Sequence, residues 1–283
     1  MLKKINYFNQ TYRKRENLVL IHQMGKVGST SLTKSLKSYG YLPLHIHSFY
    51  SPISYEMYKN YHAIKFYRSP LHRLNYFLTK QLVLKLLKSR KKLKVISIVR
   101  EPVSRNLSMY FQAFHVPLMD INSTTDNRQE ANTNLQAFRN DFFQKFNHHY
   151  GINWFDNEFK RTWNIDVYNY PFHKEEGYTV IEKGNVEVLL LTMEKLNEAE
   201  QIIRDFLDME EFTLTNENMG EQKWYQSVYK EFKQNIQPSE EYLNALYDSK
   251  YMKHFYTNDE VETFKGKYRE ETHTPTPSFS TTN

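Results

Sequence analysis

Three short apolar runs, each followed by a segment with helical pattern, most strongly constrain the fold of this chain. Leu18–Ile21 is the first run, residues 42–47 form a second, and residues 94–99 form a third. Continuous runs of this kind are typical of strands that are buried on both faces, as in parallel sheets. Strand and helix alternate in this way within ~100 residues, which predicts an α/β fold with a central parallel sheet flanked by helices.

The rest of the pattern predicts one domain between two polar ends. Residues 1–16 are polar and basic and are expected to form a flexible arm. Residues 266–283 are rich in Thr, Ser and Pro and are expected to form a disordered tail. Residues 17–265 are predicted to be a single domain, in which the polar stretch 117–131 is expected to be a mobile loop. Residues 178–191 are expected to form a hairpin or two sheet strands.

The composition excludes several kinds of site. The chain has 283 residues, a net charge of +6 and no cysteine, so disulfides, cysteine zinc sites, iron–sulfur clusters and thiol nucleophiles are excluded. No run of ~18 apolar residues predicts a membrane span, and the N-terminus lacks the apolar segment of a signal peptide. We therefore expect a cytoplasmic protein. The positive charge favours anionic partners, and on charge alone phosphates, acidic glycans, nucleic acid and membrane surfaces all stay open.

The loop between the first strand and the following helix has the pattern of an anion-binding site. The free N–H groups and the dipole of a helix N-terminus attract anions, and glycine lets the backbone approach them closely. The residues predicted to contact the anion are Gly25, Lys26, Val27, Gly28, Ser29, Thr30 and Ser31. Their order differs from that of the nucleotide-binding P-loop, in which lysine directly precedes Ser or Thr. The alternative is an ordinary strand–helix turn whose lysine points into water.

A second polar cluster follows the third strand. Arg100 ends the strand, and Arg105 and Ser108 lie three residues apart on the next helix, hence on one face. Ligands bind beyond the carboxyl ends of parallel strands, so Arg100 is expected beside the Gly25–Ser31 loop if the two strands are neighbours. A guanidinium and a hydroxyl together suit a terminal phosphate. The alternative is a structural ion pair between Arg100 and Glu101 or another carboxylate.

Two histidines alternate at the end of the second strand. His45 and His47 are two residues apart, so both imidazoles are expected on one face of the strand. Neutral histidine is suited to accept a proton near pH 7. The alternatives are two half-buried histidines bonded to backbone carbonyls, or a metal pair, for which no acidic or cysteine partner lies at ligand spacing.

The loop and the Arg100 segment together resemble the two signature motifs of sulfotransferases that use the donor 3′-phosphoadenosine 5′-phosphosulfate. Lys26-Val27-Gly28-Ser29-Thr30 matches the motif K-x-G-[ST]-[ST], which grips the 5′-phosphosulfate in that superfamily. Arg100-Glu101-Pro102 with Arg105 and Ser108 matches R-[DE]-P-x-x-R-x-x-S, which binds the 3′-phosphate. Gln23-Met24-Gly25 departs from the Tyr-Pro that more often precedes the lysine. The resemblance implies a P-loop-like sulfotransferase fold, this nucleotide as the donor, and no metal.

A wider resemblance, over about residues 17–265, is to bacterial-type proteins of the capsular polysaccharide synthesis family. The blocks that carry it are Gln23–Ser29, Trp154–Glu158, Ile165–Tyr168 and Asn218–Tyr225. This resemblance implies a carbohydrate acceptor, either capsular polysaccharide or exopolysaccharide, and no nucleic-acid partner.

The resemblance also implies roles for single residues. In related polysaccharide sulfotransferases the second histidine of H-x-H is the base, which assigns proton acceptance to His47 and orientation of the base or acceptor to His45. Lys26 is assigned to catalysis and donor binding, Lys223 to donor binding, and Asn218 to a lid that contacts substrate.

Three other functions stay open. A kinase would need a magnesium-binding Asp where Arg100 stands. A capsule glycosyltransferase is a second rival, although the chain lacks the Asp-x-Asp triplet of metal-dependent forms. The third is a protein that binds a nucleotide or an anionic glycan without turnover.

Overall fold

The computed structural model describes residues 17–50, 56–61, 70–88, 92–124, 135–215 and 223–270. One sheet contains the strands β1 (Leu18–His22), β2 (Leu42–Ile46), β3 (Leu93–Val99), β4 (Tyr178–Lys183) and β5 (Val186–Thr192). The helices are α1 (Ser29–Ser38), α2 (Pro70–Leu87), α3 (Pro102–Gln112), α4 (His115–Thr124), α5 (Leu135–Lys145), α6 (Lys160–Trp163), α7 (Glu200–Leu207), α8 (Gln226–Gln234), α9 (Glu240–Tyr247), α10 (Lys250–Phe255) and α11 (Asn258–Glu270). Short 3₁₀ segments cover Val167–Asn169 and Met193–Glu198, and a π-helical turn covers Phe155–Phe159.

The strand order across the sheet is β2-β1-β3-β5-β4. The first four strands in this order are parallel, and β4 is the antiparallel edge strand, joined to β5 by a hairpin. Leu20 of β1 is level with Leu44 of β2 on one side and with Val95 of β3 on the other. The predicted α/β fold with a central, mostly parallel sheet is confirmed, and the carboxyl ends of three neighbouring strands meet at one edge.

The central strands are buried because the sheet carries helices. Every residue of β1 is buried, and β3 and β5 each contain one residue of intermediate exposure. β1 and β3 correspond to two of the continuous apolar runs in the sequence, and the buried apolar side chains of all three strands join one hydrophobic cluster. The hydrophobic core therefore packs against the sheet, and polar side chains that could bind a ligand are found in the loops at the strand ends.

Helix α3 starts directly beyond β3 with a strong N-terminal cap. The Glu101 carboxylate accepts hydrogen bonds from the backbone N–H groups of Val103 and Ser104, at 2.7 and 2.8 Å. Pro102 occupies the first turn, where a missing N–H is tolerated. The same carboxylate accepts a hydrogen bond from the Tyr247 hydroxyl. Glu101 is thus engaged by the helix start and by α9.

Two expectations about irregular segments were wrong. Residues 117–124 belong to α4, because Val116 and Ile121 are buried and hold this polar segment against the core. Residues 125–131 of the expected loop lie outside the described residues, as does the arm 1–16. The final helix α11 continues through Gly266 to Glu270, so the tail boundary predicted at Gly266 falls inside a helix. Buried Phe264 and Tyr268 explain this continuation.

Helix α2 spans Pro70–Leu87 and carries three charged residues, Arg73, Lys80 and Lys85. None of the helices that the structure describes is long and apolar enough to cross a membrane.

Candidate functional site

The carboxyl ends of β1, β2 and β3 meet at a cavity of about 490 Å³. Because the three strands are parallel neighbours, the loop after β1, the end of β2 and the residue after β3 all reach this edge of the sheet. The predicted site residues that line the cavity are Gly25, Lys26, Val27, Gly28, Ser29, Thr30, His45, His47, Arg100 and Ser108. The structure thus brings together residues that are up to 83 positions apart in the sequence, from Gly25 to Ser108.

The loop after β1 holds its backbone in an unusual shape. Lys26 has φ +70° and Gly28 has φ +82°, both in the left-handed region. Glycine adopts this conformation freely, whereas for a lysine it costs roughly 1–2 kcal/mol. Gly28 is the N-cap residue of α1, and no side chain caps this helix. Since Gly28, Ser29 and Thr30 line the cavity, the uncapped helix N-terminus forms part of its wall.

Lys26 is the cation of the loop, and its charge is easily lost. Its Nζ donates a hydrogen bond to Oε1 of Gln112 at 3.1 Å. Partial burial, together with the positive charges of Lys223 and Arg100, lowers the pKa of Lys26 to about 8. The charges of Lys26, Lys223 and Arg100 repel one another, so an anion bound among them would stabilise all three.

Arg100 connects β3 to the loop after β1. Its Nη1 donates a hydrogen bond to the backbone oxygen of Lys26 at 2.9 Å. Its backbone N–H donates to the Tyr251 hydroxyl at 3.0 Å, and the same hydroxyl donates to the Arg100 carbonyl at 3.0 Å. Arg100 therefore lies beside the loop, as expected for the ends of neighbouring parallel strands.

Arg105 lies behind the loop rather than on the cavity wall. Its side chain is fully buried; Nε donates to the Gly25 carbonyl at 3.2 Å and Nη1 to Oδ1 of Asn106 at 2.9 Å. The guanidinium lies 5.3 Å from the ring centroid of Tyr150, and burial lowers its pKa to about 10. The two α3 residues that were expected together therefore have different positions. Ser108 lines the cavity, whereas Arg105 holds the backbone of the loop.

His47 is held in one tautomer by a backbone hydrogen bond. Its Nδ1 lies 3.1 Å from the carbonyl oxygen of Gln23. A carbonyl can only accept, so we assign the ring proton to Nδ1, which leaves Nε2 unprotonated in the neutral ring. Burial lowers the pKa of His47 below its usual range, with a smaller opposing effect from the Gln23 bond. At neutral pH the ring is therefore uncharged and able to accept a proton.

His45 lies beside His47, with 4.4 Å between the ring centroids. Its Nε2 is 3.3 Å from Oγ of Ser29, which links the end of β2 to the first turn of α1. His45 lines the cavity and retains an exposed surface. The surrounding protein nevertheless removes water from around its ring, and this effect, together with the nearby imidazoles of His47 and His22, lowers the pKa of His45. Both histidines that the sequence paired are thus neutral near pH 7.

The remaining predicted residues do not line the cavity. Ser31 lies one position further into α1. Lys223 starts the last described segment and is close enough to Lys26 to lower its pKa. Asn218 lies outside the described residues.

Three residues of the cavity wall, Met109, Gln112 and Met193, were not predicted from the sequence. Gln112 lies four positions after Ser108 on α3, so extending the helical face by one turn would have found it. Met193 follows β5, whose register pairs Thr192 with Val99 and so places Met193 level with Arg100. This pairing depends on a strand that is distant in sequence, and the sequence holds no local signal for it.

The charges around the cavity define the chemistry that it supports. Its described lining contains two cations, two neutral imidazoles and several hydroxyl and backbone donors, and no acidic side chain. Elsewhere, no three His, Asp or Glu side chains of the described residues are grouped as metal ligands. The expectation of a metal-free reaction stays a prediction. The wall of the cavity can hold a multiply charged anion and accept a proton beside it.

Comparison with curated proteins and with solved structures gives no match for the chain. Residues 126–257 match the family model NKWYS, which is described as "Putative capsular polysaccharide synthesis protein". The loop after β1, the end of β2 and helix α3 all precede this stretch, so the match concerns the part of the chain that follows the cavity residues from Gly25 to Gln112. Over residues 126–257, the chain is similar to the capsular polysaccharide synthesis family.

Proposed function

We propose that this protein is a sulfotransferase that uses 3′-phosphoadenosine 5′-phosphosulfate and transfers the sulfuryl group to a hydroxyl of a carbohydrate. The observation that carries the proposal is the convergence, in one cavity, of an uncapped helix N-terminus, Lys26, Arg100 and a neutral His47. The first three suit a phosphate-rich ligand. The fourth suits the removal of a proton from a hydroxyl.

The size and charge of the cavity support this donor. Its volume of about 490 Å³ lies within the roughly 300–1,000 Å³ common for small-molecule sites. The left-handed Gly28 brings backbone to the cavity wall, where an added Cβ would lie 3.2 Å from Cγ of Met193. The donor carries negative charge at both ends of its phosphorylated ribose. The chain supplies cations from two different strand ends, Lys26 after β1 and Arg100 after β3.

His47 is the base in this proposal. When bound, the donor supplies the sulfuryl group, and the acceptor hydroxyl must lose its proton as the new O–S bond forms. Nε2 of His47 accepts that proton, while Nδ1–H stays bonded to the Gln23 carbonyl. The imidazolium that results is stabilised by this carbonyl, and the lowered pKa of the free ring keeps it available as a base at neutral pH.

Lys26 and the N-terminus of α1 act on the leaving side. Negative charge builds on the phosphate oxygen as its bond to sulfur breaks, and fixed donors aimed at such an oxygen are an effective means of stabilisation. The Lys26 ammonium and the backbone N–H groups after Gly28 supply these donors. In the free protein Lys26 is bonded to Gln112, so it must exchange this partner for the phosphate oxygen.

Arg100 and Ser108 bind the second phosphate of the donor, and Arg105 acts indirectly. Both residues line the cavity, Arg100 just after β3 and Ser108 in the middle of α3. Arg105 lies behind the loop and fixes the Gly25 carbonyl, which keeps the backbone of the loop in place. The carbohydrate acceptor is supported by the family match over residues 126–257, which points to polysaccharide synthesis.

The donor assignment is tested by calorimetry with 3′-phosphoadenosine 5′-phosphate, compared with ATP plus Mg²⁺ and with nucleotide sugars. We expect 3′-phosphoadenosine 5′-phosphate to bind most tightly without added metal. Tighter binding of ATP with Mg²⁺ would indicate a kinase, and tighter binding of a nucleotide sugar would indicate a glycosyltransferase. Either result contradicts the proposal.

The catalytic assignment is tested with ³⁵S-labelled donor and a panel of bacterial polysaccharides. His47→Ala should abolish transfer and keep binding of 3′-phosphoadenosine 5′-phosphate. His149→Ala is the matched control, because His149 is exposed outside the cavity lining, and it should leave both unchanged. Full transfer by His47→Ala would remove His47 from the mechanism, and donor binding without transfer to any acceptor would favour a binding protein.

A further inference from the structure

The backbone that follows His47 is fixed from one neighbouring turn. Nε1 of Trp154 donates a hydrogen bond to the His47 carbonyl at 3.1 Å. Oγ of Ser48 donates to Oε2 of Glu158 at 2.9 Å, and the backbone N–H of Phe49 donates to Oε1 of the same carboxylate. Three successive residues, 47 to 49, are therefore held by two side chains that lie four positions apart.

Glu158 is presented by a π-helical turn, Phe155–Phe159. Such wide turns are rare and occur frequently at functional sites. Phe155 and Phe159 pack into the core, and the Glu158 side chain is buried with them. A buried carboxylate is unfavourable unless donors surround it, so the hydrogen bonds from Ser48 and Phe49 are needed to hold it there.

The same carboxylate faces the end of β1. Nε2 of His22 lies 3.7 Å from Oε1 of Glu158. Nδ1 of His22 accepts a hydrogen bond from Nε1 of Trp163 at 2.8 Å, so the proton of the neutral ring is on Nε2, which lies near the carboxylate without a hydrogen bond to it. The His22 ring is fully buried, and its centroid lies 5.0 Å from that of the Phe49 ring and 4.9 Å from that of the Trp154 ring. Glu158 thus faces polar groups of two strand ends.

These contacts lie on both sides of the hydrogen bond that sets the tautomer of His47. That bond joins Nδ1 of His47 to the carbonyl of Gln23. Glu158 faces His22, the residue before Gln23, and bonds to Ser48, the residue after His47. We propose that Glu158 is a positioning residue, which fixes the ends of β1 and β2 so that His47 keeps its proton on Nδ1 and offers Nε2 to the acceptor.

This inference rests on the proposed function, in which His47 is the base. Its test is Glu158→Gln, which keeps the size of the side chain but presents an NH₂ group to one of the two donors. The matched control is Asp156→Asn in the same π-helical turn, since the Asp156 carboxylate pairs with the half-exposed Lys250 at 2.5 Å, away from His47. We expect Glu158→Gln to lower kcat for ³⁵S transfer on the order of 100-fold, the effect of a small misplacement of a reacting group. Asp156→Asn should stay within about twofold of wild type, as surface substitutions usually do.

Two further measurements separate positioning from a general loss of structure. Calorimetry should show that Glu158→Gln binds 3′-phosphoadenosine 5′-phosphate within about twofold of wild type, because no donor-site residue bonds to Glu158. Long-range ¹H–¹⁵N spectra should show a protonated Nδ1 on His47 in wild type and a mixture of tautomers in Glu158→Gln. These spectra require no acceptor, so they read the positioning of His47 even if no polysaccharide accepts sulfuryl.

The outcomes are distinct. An unchanged kcat or an unchanged His47 tautomer in folded Glu158→Gln overturns the positioning role, as does a loss of nucleotide binding in parallel with kcat. Absence of transfer by wild type, with nucleotide binding and the tautomer shift both as expected, overturns the proposed function and leaves the positioning intact. If Glu158→Gln does not fold, Ser48→Ala removes one of the same hydrogen bonds without altering the buried charge. It should lower kcat by about tenfold, the lower end of the effect expected of one hydrogen bond to a charged group.

Discussion

The left-handed backbone at Gly28 leads to a quantitative prediction about the proposed anion site. In Gly28→Ala the new Cβ must adopt φ +82° and lies 3.2 Å from Cγ of Met193. The backbone conformation alone costs roughly 1–2 kcal/mol for a residue with a Cβ. The contact with Met193 adds little, because a flexible side chain can move by a few tenths of an ångström. We therefore expect Gly28→Ala to lower the free energy of unfolding by about 1–2 kcal/mol.

The control for this change is Gly40→Ala. Gly40 has φ +79°, and a Cβ there would meet nothing within 4 Å. Gly40→Ala should therefore lower the free energy of unfolding by a similar ~1–2 kcal/mol. Gly40 does not line the cavity. Both substitutions strain the backbone in the same way. Only Gly28→Ala does so at a residue that lines the cavity.

The assay pairs urea unfolding with calorimetry of 3′-phosphoadenosine 5′-phosphate. Gly28→Ala should bind this nucleotide about tenfold more weakly, which corresponds to ~1.4 kcal/mol, because relief of the strain moves the first N–H groups of α1. Gly40→Ala should bind it as wild type does. If both variants lose equal stability and Gly28→Ala binds the nucleotide as tightly as wild type, the loop backbone does not contact the anion and the reasoning is refuted.

Further predictions concern the cations of the cavity. Because the pKa of Lys26 is lowered to about 8, its charge is lost as pH rises through that value, so affinity for 3′-phosphoadenosine 5′-phosphate should fall above pH 8; Lys26→Arg, titrated by calorimetry, should bind with no such fall. Arg105→Met should destabilise the protein to urea by about 2–3 kcal/mol, the cost of hydrogen bonds lost from a buried charge. Arg100→Ala should leave the free energy of unfolding closer to wild type and weaken nucleotide binding at least tenfold. If instead Arg105→Met weakens binding and Arg100→Ala mainly destabilises the fold, Arg105 binds the ligand and Arg100 is structural. Gln112→Ala, which removes the side-chain partner of Lys26, should tighten binding about twofold, and weaker binding would show that Gln112 itself contacts the ligand.

The sequence predicted the parts of the site that depend on strand ends. Apolar runs identify buried strands, and the carboxyl ends of parallel neighbours must meet, so the proximity of Arg100 to the loop after β1 follows from the pattern once β1 and β3 are adjacent. The left-handed Gly28 also agrees with the expectation that glycine is needed in this loop. Left-handed Lys26 does not, because local preferences argue against a lysine in that conformation.

The parts that the sequence did not predict depend on packing between distant segments. Helical spacing predicts that Arg105 and Ser108 lie on one face of α3. One helix face is wide enough for one side chain to reach the cavity and the other to reach the backbone of the loop after β1. Which side each residue takes is decided by where α3 meets the Gly25 carbonyl. Helix α4 was missed for a similar reason: its polar residues hide the burial of Val116 and Ile121, which only the assembled core reveals.

The hydroxyl of Tyr251 ties the cavity to the C-terminal helices. It bonds to both the N–H and the carbonyl of Arg100, which is 151 positions earlier in the chain. Helix α10, which carries Tyr251, contributes no residue to the cavity wall, yet the position of Arg100 depends on its docking. We therefore expect nucleotide binding at the proposed site to oppose local unfolding of α10. Slower amide hydrogen exchange in Lys250–Phe255 should accompany nucleotide binding, although that helix contributes no residue to the described cavity wall.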